Sequence, residues 1–504
     1  MRQLTALDAQ FLHAESATTA AHVAGLAILD PACSSLGALT RECLVGLLRE
    51  RLHLAPALRL RLATVPFGLD RPYWTEDPDL DVAGHVHEVT LSGPGDDAQL
   101  AEQVARIHER HLDRARPLWE MHLIQGLTGG RVALYAKVHH CAIDGVSGAE
   151  LLAALLDLTP EPRAVERPES EPRTTAPGLA GMLAGAVART VLQPARTLYS
   201  LGRMAAELDT MPLTSALPGA RQVAAATRMI AGRAPEPEPA EPPMLTAPRT
   251  PFNGPIGAER RFSYGSIPLA DVKRVARSAG ASVNDVVMTL CASALRAWLR
   301  ERDALPDRPL IAAVPVAVRN ASAQEVVGNQ ISVMVTPIPT DLACPRERLR
   351  VMAGTMLSAK RRFAGAPTAW LGELSSVLPS AVTALATSAV FRLASIVLPP
   401  INLIVSNVPG PQLPLYLCGA RVLAYHPMSV LTDVSGGVNI TCFSYDGSLD
   451  FGILSCPDRV ADVWRLMGHL REAMDELMEQ VEPVPAAPVA PLERPVPVRE
   501  MVPA

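Results

Sequence analysis

The stretch His139-His140-Cys141-Ala142-Ile143-Asp144-Gly145 decides how the first part of this sequence is interpreted. It follows Arg131–Val138, whose alternating apolar residues predict a strand, and it precedes Val146–Leu156, whose apolar spacing predicts a helix. Two imidazoles and a carboxylate are therefore predicted between a strand and a helix, where a rigid scaffold often holds catalytic groups. The stretch is a candidate active site.

The residue types in this stretch suit proton transfer. Imidazole takes up and releases protons near neutral pH, and only one of His139 and His140 can face a given cleft, because consecutive residues of an extended segment point opposite ways. Asp144 could hold the loop or orient an imidazole, and Gly145 permits the turn into the helix. A structural histidine pair beside a capping Asp fits these residues equally well. A zinc site fits less well, because neighbouring histidines do not converge easily on one metal and no other ligand cluster is visible.

Length and composition limit the class of protein. A chain of 504 residues predicts two to three domains, and 48% hydrophobic with 4% aromatic residues suits a core of Ala, Val and Leu. The net charge of −5 and the lack of an aromatic-studded basic patch argue against nucleic acid as a partner. The N-terminus lacks the apolar region of a signal peptide, and the eight cysteines form no Cys-x-x-Cys pair. We therefore expect a cytoplasmic protein with reduced thiols and no metal.

Composition divides the chain into four parts. Residues 1–160 and 250–478 each predict a mixed unit of strands and helices. Residues 161–249 are rich in Pro and Glu at both ends and predict a linker that contains one basic amphipathic helix. Residues 479–504 form a Pro/Val/Ala tail, for which we expect disorder.

The linker helix permits two interpretations. Arg189, Arg196 and Arg203 recur every seventh residue near one helical face, and Pro194 should kink or break the helix. A basic segment with an apolar face can lie in a membrane interface, but it can equally bridge two domains with its arginines in solvent.

The motif His-His-x-x-x-Asp-Gly resembles the signature of the CoA-dependent acyltransferase superfamily. Further motifs, in family order, narrow the resemblance to the bacterial wax ester synthase/diacylglycerol acyltransferase family over residues 4 to about 475. These motifs are Leu4–Leu12 with the following Glu15-Ser16 and His22-Val23, Arg116–Glu120, Thr250–Ile256, Ser282–Asp285 and Val405–Pro411.

This resemblance implies an α/β (α+β) fold of two chloramphenicol-acetyltransferase-like domains, with the active site in a tunnel at their interface. His140 would be the general base that takes the proton from an acceptor hydroxyl as its oxygen attacks the thioester of an acyl-CoA. The tetrahedral intermediate would then release coenzyme A, protonated by the same imidazole. No acyl-enzyme is needed, so Cys141 is interpreted as a small buried residue, and Asp144 as a residue that fixes the loop. No cofactor is expected, since acyl-CoA is a cosubstrate.

The second half of the chain is expected to supply the oxyanion donor. A developing oxyanion needs a hydrogen-bond donor, and Asn284 has this chemistry in the segment that resembles the Asn-Asp motif. The alternative is that Asn284 is the N-cap of the helix that follows. Asp285 is expected to line the substrate site.

Further residues are expected to line that site. The resemblance places Pro117, Leu118 and Trp119 in the tunnel wall, with packing as their main role. It also places Ser406 and Asn407 beside the substrate, although composition alone predicts a turn for Ser406–Gly410.

The predicted function is transfer of a long-chain acyl group from acyl-CoA to diacylglycerol, or to long-chain alcohols in wax ester synthesis. Two alternatives stay open at this point: a condensation-type module that joins carrier-bound acyl groups, and a catalytically silent lipid-binding protein. Because lipid acceptors barely dissolve in water, a peripheral position at the inner membrane face or on lipid droplets would suit the predicted function.

Overall fold

A computed structural model describes residues 2–34, 38–143, 151–166, 174–206, 220–230, 247–317, 331–365 and 400–481, with single positions between 387 and 395. Its helices are α1 (Ala6–Ala14), α2 (Arg41–Arg51), α3 (Asp97–His108), α4 (Leu179–Ala206), α5 (Ala220–Ile230), α6 (Leu269–Ala279), α7 (Val283–Arg300), α8 (Pro345–Gly365) and α9 (Val463–Glu479). Its strands are β1 (Arg2–Gln3), β2 (His22–Asp30), β3 (Leu60–Ala63), β4 (Tyr73–Glu76), β5 (Val86–Thr90), β6 (Trp119–Gln125), β7 (Val132–His139), β8 (Arg261–Pro268), β9 (Leu310–Ala317), β10 (Ile331–Ile338), β11 (Leu403–Pro409), β12 (Tyr416–Leu417), β13 (Ala420–Met428), β14 (Val438–Tyr445) and β15 (Ser448–Ser455).

The first large sheet has six strands in the order β12-β13-β2-β7-β6-β5. Alternation along β6 sends Trp119 and Met121 to one face, where α2 packs, and Ile124 to the other face, where α3 packs. The first part of the chain also forms a small three-stranded sheet in the order β1-β4-β3. The strand predicted from Arg131–Val138 is confirmed as β7, one residue further along.

The second large sheet has six strands in the order β10-β9-β11-β14-β15-β8. Its core is the largest hydrophobic cluster among the described residues, and α7 supplies much of it, including Val286, Leu290 and Leu295. β11 pairs in parallel with both β9 and β14, so it lies in the interior of this sheet. This mixed α/β architecture agrees with the predicted fold class.

One strand joins the two units. β13 comes from the part of the chain assigned to residues 250–478, yet it pairs antiparallel with β2 of the first sheet. Behind it, Asp450 of β15 accepts a hydrogen bond from the backbone N–H of Tyr425 at 2.8 Å. A Cβ at Gly452 would lie 1.9 Å from the Pro427 carbonyl oxygen, so only glycine permits this close approach of β15 to β13. The first sheet is thus completed from the far half of the chain, which the sequence did not reveal.

The linker helix docks on the first unit. Met182 and Ala186 of α4 pack against Val65 and Tyr73, and Arg189 pairs with Asp70. Arg189 Nη2 also donates to Tyr73 Oη at 2.7 Å. The Arg189 side chain therefore contacts the first unit, whereas the two interpretations of the arginine pattern placed it at a membrane or in solvent.

Other linker and tail predictions have mixed outcomes. The helix does not break at Pro194: α4 continues to Ala206, whose carbonyl accepts a hydrogen bond from Arg228 Nε of α5 at 2.7 Å. Residues 207–219, 231–246 and 482–504 lie outside the described residues, so the predicted Pro-rich segment and the predicted disordered tail stay predictions. Among the helices that are described, none has the length and apolar character needed to cross a membrane.

Candidate active site

The backbone of the His139-His140 turn is held by hydrogen bonds from several sides. β7 ends at His139, whose backbone N–H donates to the Leu118 carbonyl at 2.9 Å. The next N–H, of His140, donates to the Ala21 carbonyl at 2.8 Å, and that of Ala142 closes the turn onto the His139 carbonyl at 2.9 Å. The position of both imidazoles therefore depends on β2 and on the segment before β6. Asp144 and Gly145 lie outside the described residues.

His139 is buried and its tautomer is defined. Its Nδ1 accepts a hydrogen bond from the Cys141 backbone N–H at 3.1 Å, so the neutral ring carries its proton on Nε2. Nε2 lies 3.3 Å from Glu15 Oε1, and both side chains are almost completely shielded from solvent. His139 thus connects the turn to a buried carboxylate.

Glu15 is a site residue whose role the sequence did not reveal. Its Oε2 accepts from Arg114 Nε at 3.0 Å, and its Oε1 accepts from the Ala21 N–H at 3.2 Å. Burial alone would raise the pKa of Glu15, but the hydrogen bond with His139 Nε2 and the charge of Arg114 outweigh it and lower that pKa to about 2. The partners are 99 and 124 residues away along the chain, so spacing alone could not identify the cluster.

His140 has different surroundings from His139. Its ring stacks on Phe11 of α1, with centroids 3.9 Å apart and an interplanar angle of 5°, and its side chain is half-buried. The two imidazoles therefore divide as expected for an extended segment: one buried against a carboxylate, the other partly open to solvent. This difference favours His140 as the residue that contacts substrate.

Cys141 has the environment of a packing residue. It is 3% exposed and lies in a cluster with Leu4, Leu12 and Leu118. Burial raises the pKa of its thiol well above the usual value, so the nucleophilic thiolate is disfavoured.

The Pro117-Leu118-Trp119 segment is buried and structural in its contacts. The Trp119 indole N–H donates to the Leu58 carbonyl at 2.8 Å, and its ring stacks on His85 with centroids 4.4 Å apart. Leu118 packs beside Cys141. The packing role thus has direct support, and the role in a tunnel wall stays a prediction.

The start of α7 is set by a capping box. Ser282 Oγ accepts from the Asp285 N–H at 3.2 Å, and Asp285 Oδ2 accepts from the Ser282 N–H at 2.8 Å. The N-cap is therefore Ser282, and the alternative that made Asn284 the N-cap is wrong. Asp285, which is 7% exposed, uses one carboxylate oxygen in this cap. A substrate contact by Asp285 stays a prediction.

Asn284 and Asn407 are brought together from distant parts of the second unit. Asn407 Nδ2 donates to Asn284 Oδ1 at 3.1 Å, and Cys442 Sγ donates to Asn407 Oδ1 at 3.3 Å. In this series of hydrogen bonds, which we call the amide chain, Asn284 accepts through Oδ1. Its amide nitrogen is therefore the donor end of the amide chain. The predicted turn at Ser406–Gly410 is wrong up to Pro409, because pairing with β14 holds those residues in β11.

Alternation along β11 places Ser406 on the opposite face from Asn407. Val405, on the Asn407 face, belongs to the core around α7. Val408, on the Ser406 face, packs against a mixed cluster that contains Phe443 of β14 and Ile143 of the histidine turn. Ser406 therefore lies on the face of β11 that adjoins this mixed cluster.

The fold is that of the acyltransferases of the two-domain chloramphenicol-acetyltransferase type. The profile of the wax ester synthase/diacylglycerol acyltransferase catalytic domain matches residues 4–287, and that of the C-terminal domain of this family matches residues 327–478. The chain belongs to the wax ester synthase/diacylglycerol acyltransferase family.

Individual relatives agree with this assignment. The probable diacylglycerol O-acyltransferase tgs2 of Mycobacterium tuberculosis is 34% identical over 480 residues, covering 94% of this chain and 98% of the relative. The solved structure of the wax ester synthase/diacylglycerol acyltransferase from Marinobacter aquaeolei VT8 is 28% identical in sequence, and the match covers 95% of this chain and 99% of that chain with a TM-score of 0.64. The starter condensation domain of rhizomide synthetase RzmA, at 12% identity and a TM-score of 0.50, shares the fold alone.

We expect Glu15→Gln to lower kcat by about 10–100-fold, because a loosened histidine turn misplaces the reacting imidazole. Loss of the buried negative charge should also weaken the stabilisation of an imidazolium that develops only during the reaction, so the effect should fall on kcat with little change in KM. The measurement is kcat and KM for acyl-CoA turnover. The matched control is Glu102→Gln, which removes an exposed ion pair with Arg106 and should leave both constants unchanged. A wild-type kcat in Glu15→Gln would contradict this role.

Proposed function

We propose that this protein transfers a long-chain acyl group from acyl-CoA to diacylglycerol, with long-chain alcohols as second acceptors. Family membership supports the reaction class. The observation that carries the site assignment is the half-buried His140 on a turn locked by neighbouring strands, above a buried His139–Glu15 contact.

The proposed reaction is direct transfer. His140 takes the proton from the acceptor hydroxyl, and the oxygen attacks the thioester carbonyl. The C–O bond forms as the carbonyl becomes an oxyanion; the intermediate then collapses with cleavage of the C–S bond. The imidazolium returns its proton to the leaving thiolate of coenzyme A. The reaction is balanced without an acyl-enzyme, in agreement with the burial of Cys141.

His139, Glu15 and Arg114 act as positioning residues in this proposal. Their contacts order the turn, and the ionised Glu15 stabilises the imidazolium that develops nearby. Asp144 and Gly145 are proposed to complete the loop, as the resemblance implies.

Two groups of the second unit are candidates for the oxyanion donor. Asn284 carries the donor end of the amide chain, and Ser406 lies on the face of β11 that adjoins the cluster containing Ile143 of the histidine turn. Removal of a single oxyanion donor typically costs about 10²–10³ in kcat.

His140→Ala should lower kcat by about 10²–10⁴, the usual contribution of a positioned general base. Cys141→Ala should keep kcat within a few-fold of the wild type, because the thiol is not a nucleophile in direct transfer. The assay follows thiol release from palmitoyl-CoA with diolein or with hexadecanol.

Each outcome of this assay separates one hypothesis from the others. Full activity of His140→Ala would overturn the mechanism. Loss of activity in a folded Cys141→Ala variant would indicate an acyl-enzyme instead. If no thiol is released with diolein or with hexadecanol, while an active family member used as a positive control does release thiol, the condensation-type or silent lipid-binding alternatives are favoured.

A comparison of Asn284→Ala with Ser406→Ala should identify the oxyanion donor. The donor's variant should lose about 10²–10³ in kcat with little change in KM, since the contact strengthens only in the transition state. Asn407→Ala should resemble Asn284→Ala if the amide chain orients the donor. Wild-type kcat in both Asn284→Ala and Ser406→Ala would exclude these two side chains.

We also propose a peripheral position at the inner membrane face or on lipid droplets, where the acceptors dissolve. Support comes from the outer face of α4, on which Leu179, Val187 and Val191 are 69%, 60% and 72% exposed. Met229 and Ile230 at the end of the neighbouring α5 are 79% and 88% exposed. A row of exposed apolar side chains on a helix without acidic residues suits an anionic lipid interface.

Val187→Asp/Val191→Asp should reduce sedimentation with vesicles of phosphatidylcholine and phosphatidylglycerol at least about tenfold, because each Asp adds a charge to the inserting face. The matched control is Leu158→Asp, at a 68% exposed apolar residue outside α4. Equal binding by the double variant and the control would contradict a membrane role for α4.

A further inference from the structure

Three potential metal ligands meet at the open edge of the first sheet, in a group we call the edge-strand cluster: His87, Glu120 and His122. His87 on β5 is directly opposite His122 on β6 in the parallel register. Glu120 precedes His122 by two residues, so its side chain leaves the same face of β6. One ligand atom from each residue lies within 4.8 Å of the other two.

These separations are close to what a zinc ion needs. Zn–N and Zn–O bonds of about 2.0–2.2 Å in a tetrahedral arrangement place two ligand atoms about 3.3–3.5 Å apart. His122 Nε2 is already 3.4 Å from Glu120 Oε2, and the two imidazole rings have centroids 4.7 Å apart. The ligand atoms would have to approach one another by about a further ångström, which rotation of side chains at an edge strand permits.

One cation competes for the carboxylate. Lys137 Nζ lies 3.3 Å from Glu120 Oε2, and it also donates to the carbonyls of Ile107 and Arg110. The 3.4 Å contact with His122 Nε2 is made by this same oxygen, so binding of an ion requires the carboxylate to turn Oε1 towards His122 while Oε2 keeps Lys137.

We propose that the edge-strand cluster binds one divalent zinc-type ion through His87, His122 and Glu120, with water in the remaining position. Nitrogen and oxygen ligands in this combination suit Zn²⁺ better than Ca²⁺ or Mg²⁺, which prefer oxygen alone. The ion would tie β5 to β6, and it takes no part in acyl transfer. The sequence argued against any metal because these residues lie 33 and 35 positions apart and converge only through strand pairing.

The test is calorimetric titration of ZnCl₂ into tag-free, EDTA-treated full-length protein. The titration is made in a Cys43→Ser/Cys344→Ser background, since these are the exposed thiols among the described cysteines. We expect one equivalent of zinc, with affinity at least about tenfold lower in His87→Gln and in His122→Gln. Zinc should also raise the melting temperature of the parent protein, but not that of His87→Gln.

The matched control is Glu88→Gln, whose side chain leaves the opposite face of β5 next to His87. It should bind zinc as the parent does. Equal zinc affinity in the parent, His87→Gln and His122→Gln would overturn the proposal, as would the lack of any heat of binding in the parent. Because His87 lies outside the proposed catalytic machinery, metal-free His87→Gln should keep its acyl-CoA turnover, which separates this proposal from the proposed function.

Discussion

The pairing of β13 with β2 is the constraint on which the rest of the structure depends. A strand near the end of the second unit completes the sheet of the first unit through seven paired positions, from Arg421 opposite Asp30 to Met428 opposite Ala24. β2 also pairs with β7, the strand that carries His139 at its end. Backbone hydrogen bonds therefore connect the second unit to the histidine turn through a single intervening strand, which is a more rigid connection than a surface contact between domains.

This constraint explains the distribution of chemical groups across the site. The first unit contributes an imidazole together with the buried contacts that order it, and Glu15 is kept ionised there by His139 and Arg114. The candidate oxyanion donors, Asn284 and Ser406, come from α7 and β11 of the second unit, and Val408 of β11 packs on the same cluster as Ile143. In the proposed mechanism the general base and the oxyanion donor therefore come from different units, so the reaction depends on how β13 aligns them.

Local sequence patterns predicted the secondary structure well where the pattern and the contacts it reflects lie within one short segment. Strand alternation identified β7, and the Ser282-x-x-Asp285 pattern contained the true capping box, although Asn284 was considered as the cap. The predictions failed where tertiary contacts override local preference. Pairing with β14 holds Ser406 to Pro409 in a strand despite their turn composition, and α4, which contacts the first unit through Met182 and Ala186 and α5 through Ala206, continues through Pro194.

By itself the sequence determined the fold class, the family and the identity of the two histidines, because periodicity and motif order are local properties of the chain. Only the tertiary structure decided that His139 contacts Glu15, that Asn407 holds Asn284, and that His87 meets His122 at a sheet edge. Such contacts join residues between 35 and 124 positions apart. The pairing of strands determines them, and no hydrophobic pattern within one strand specifies which other strand will lie beside it.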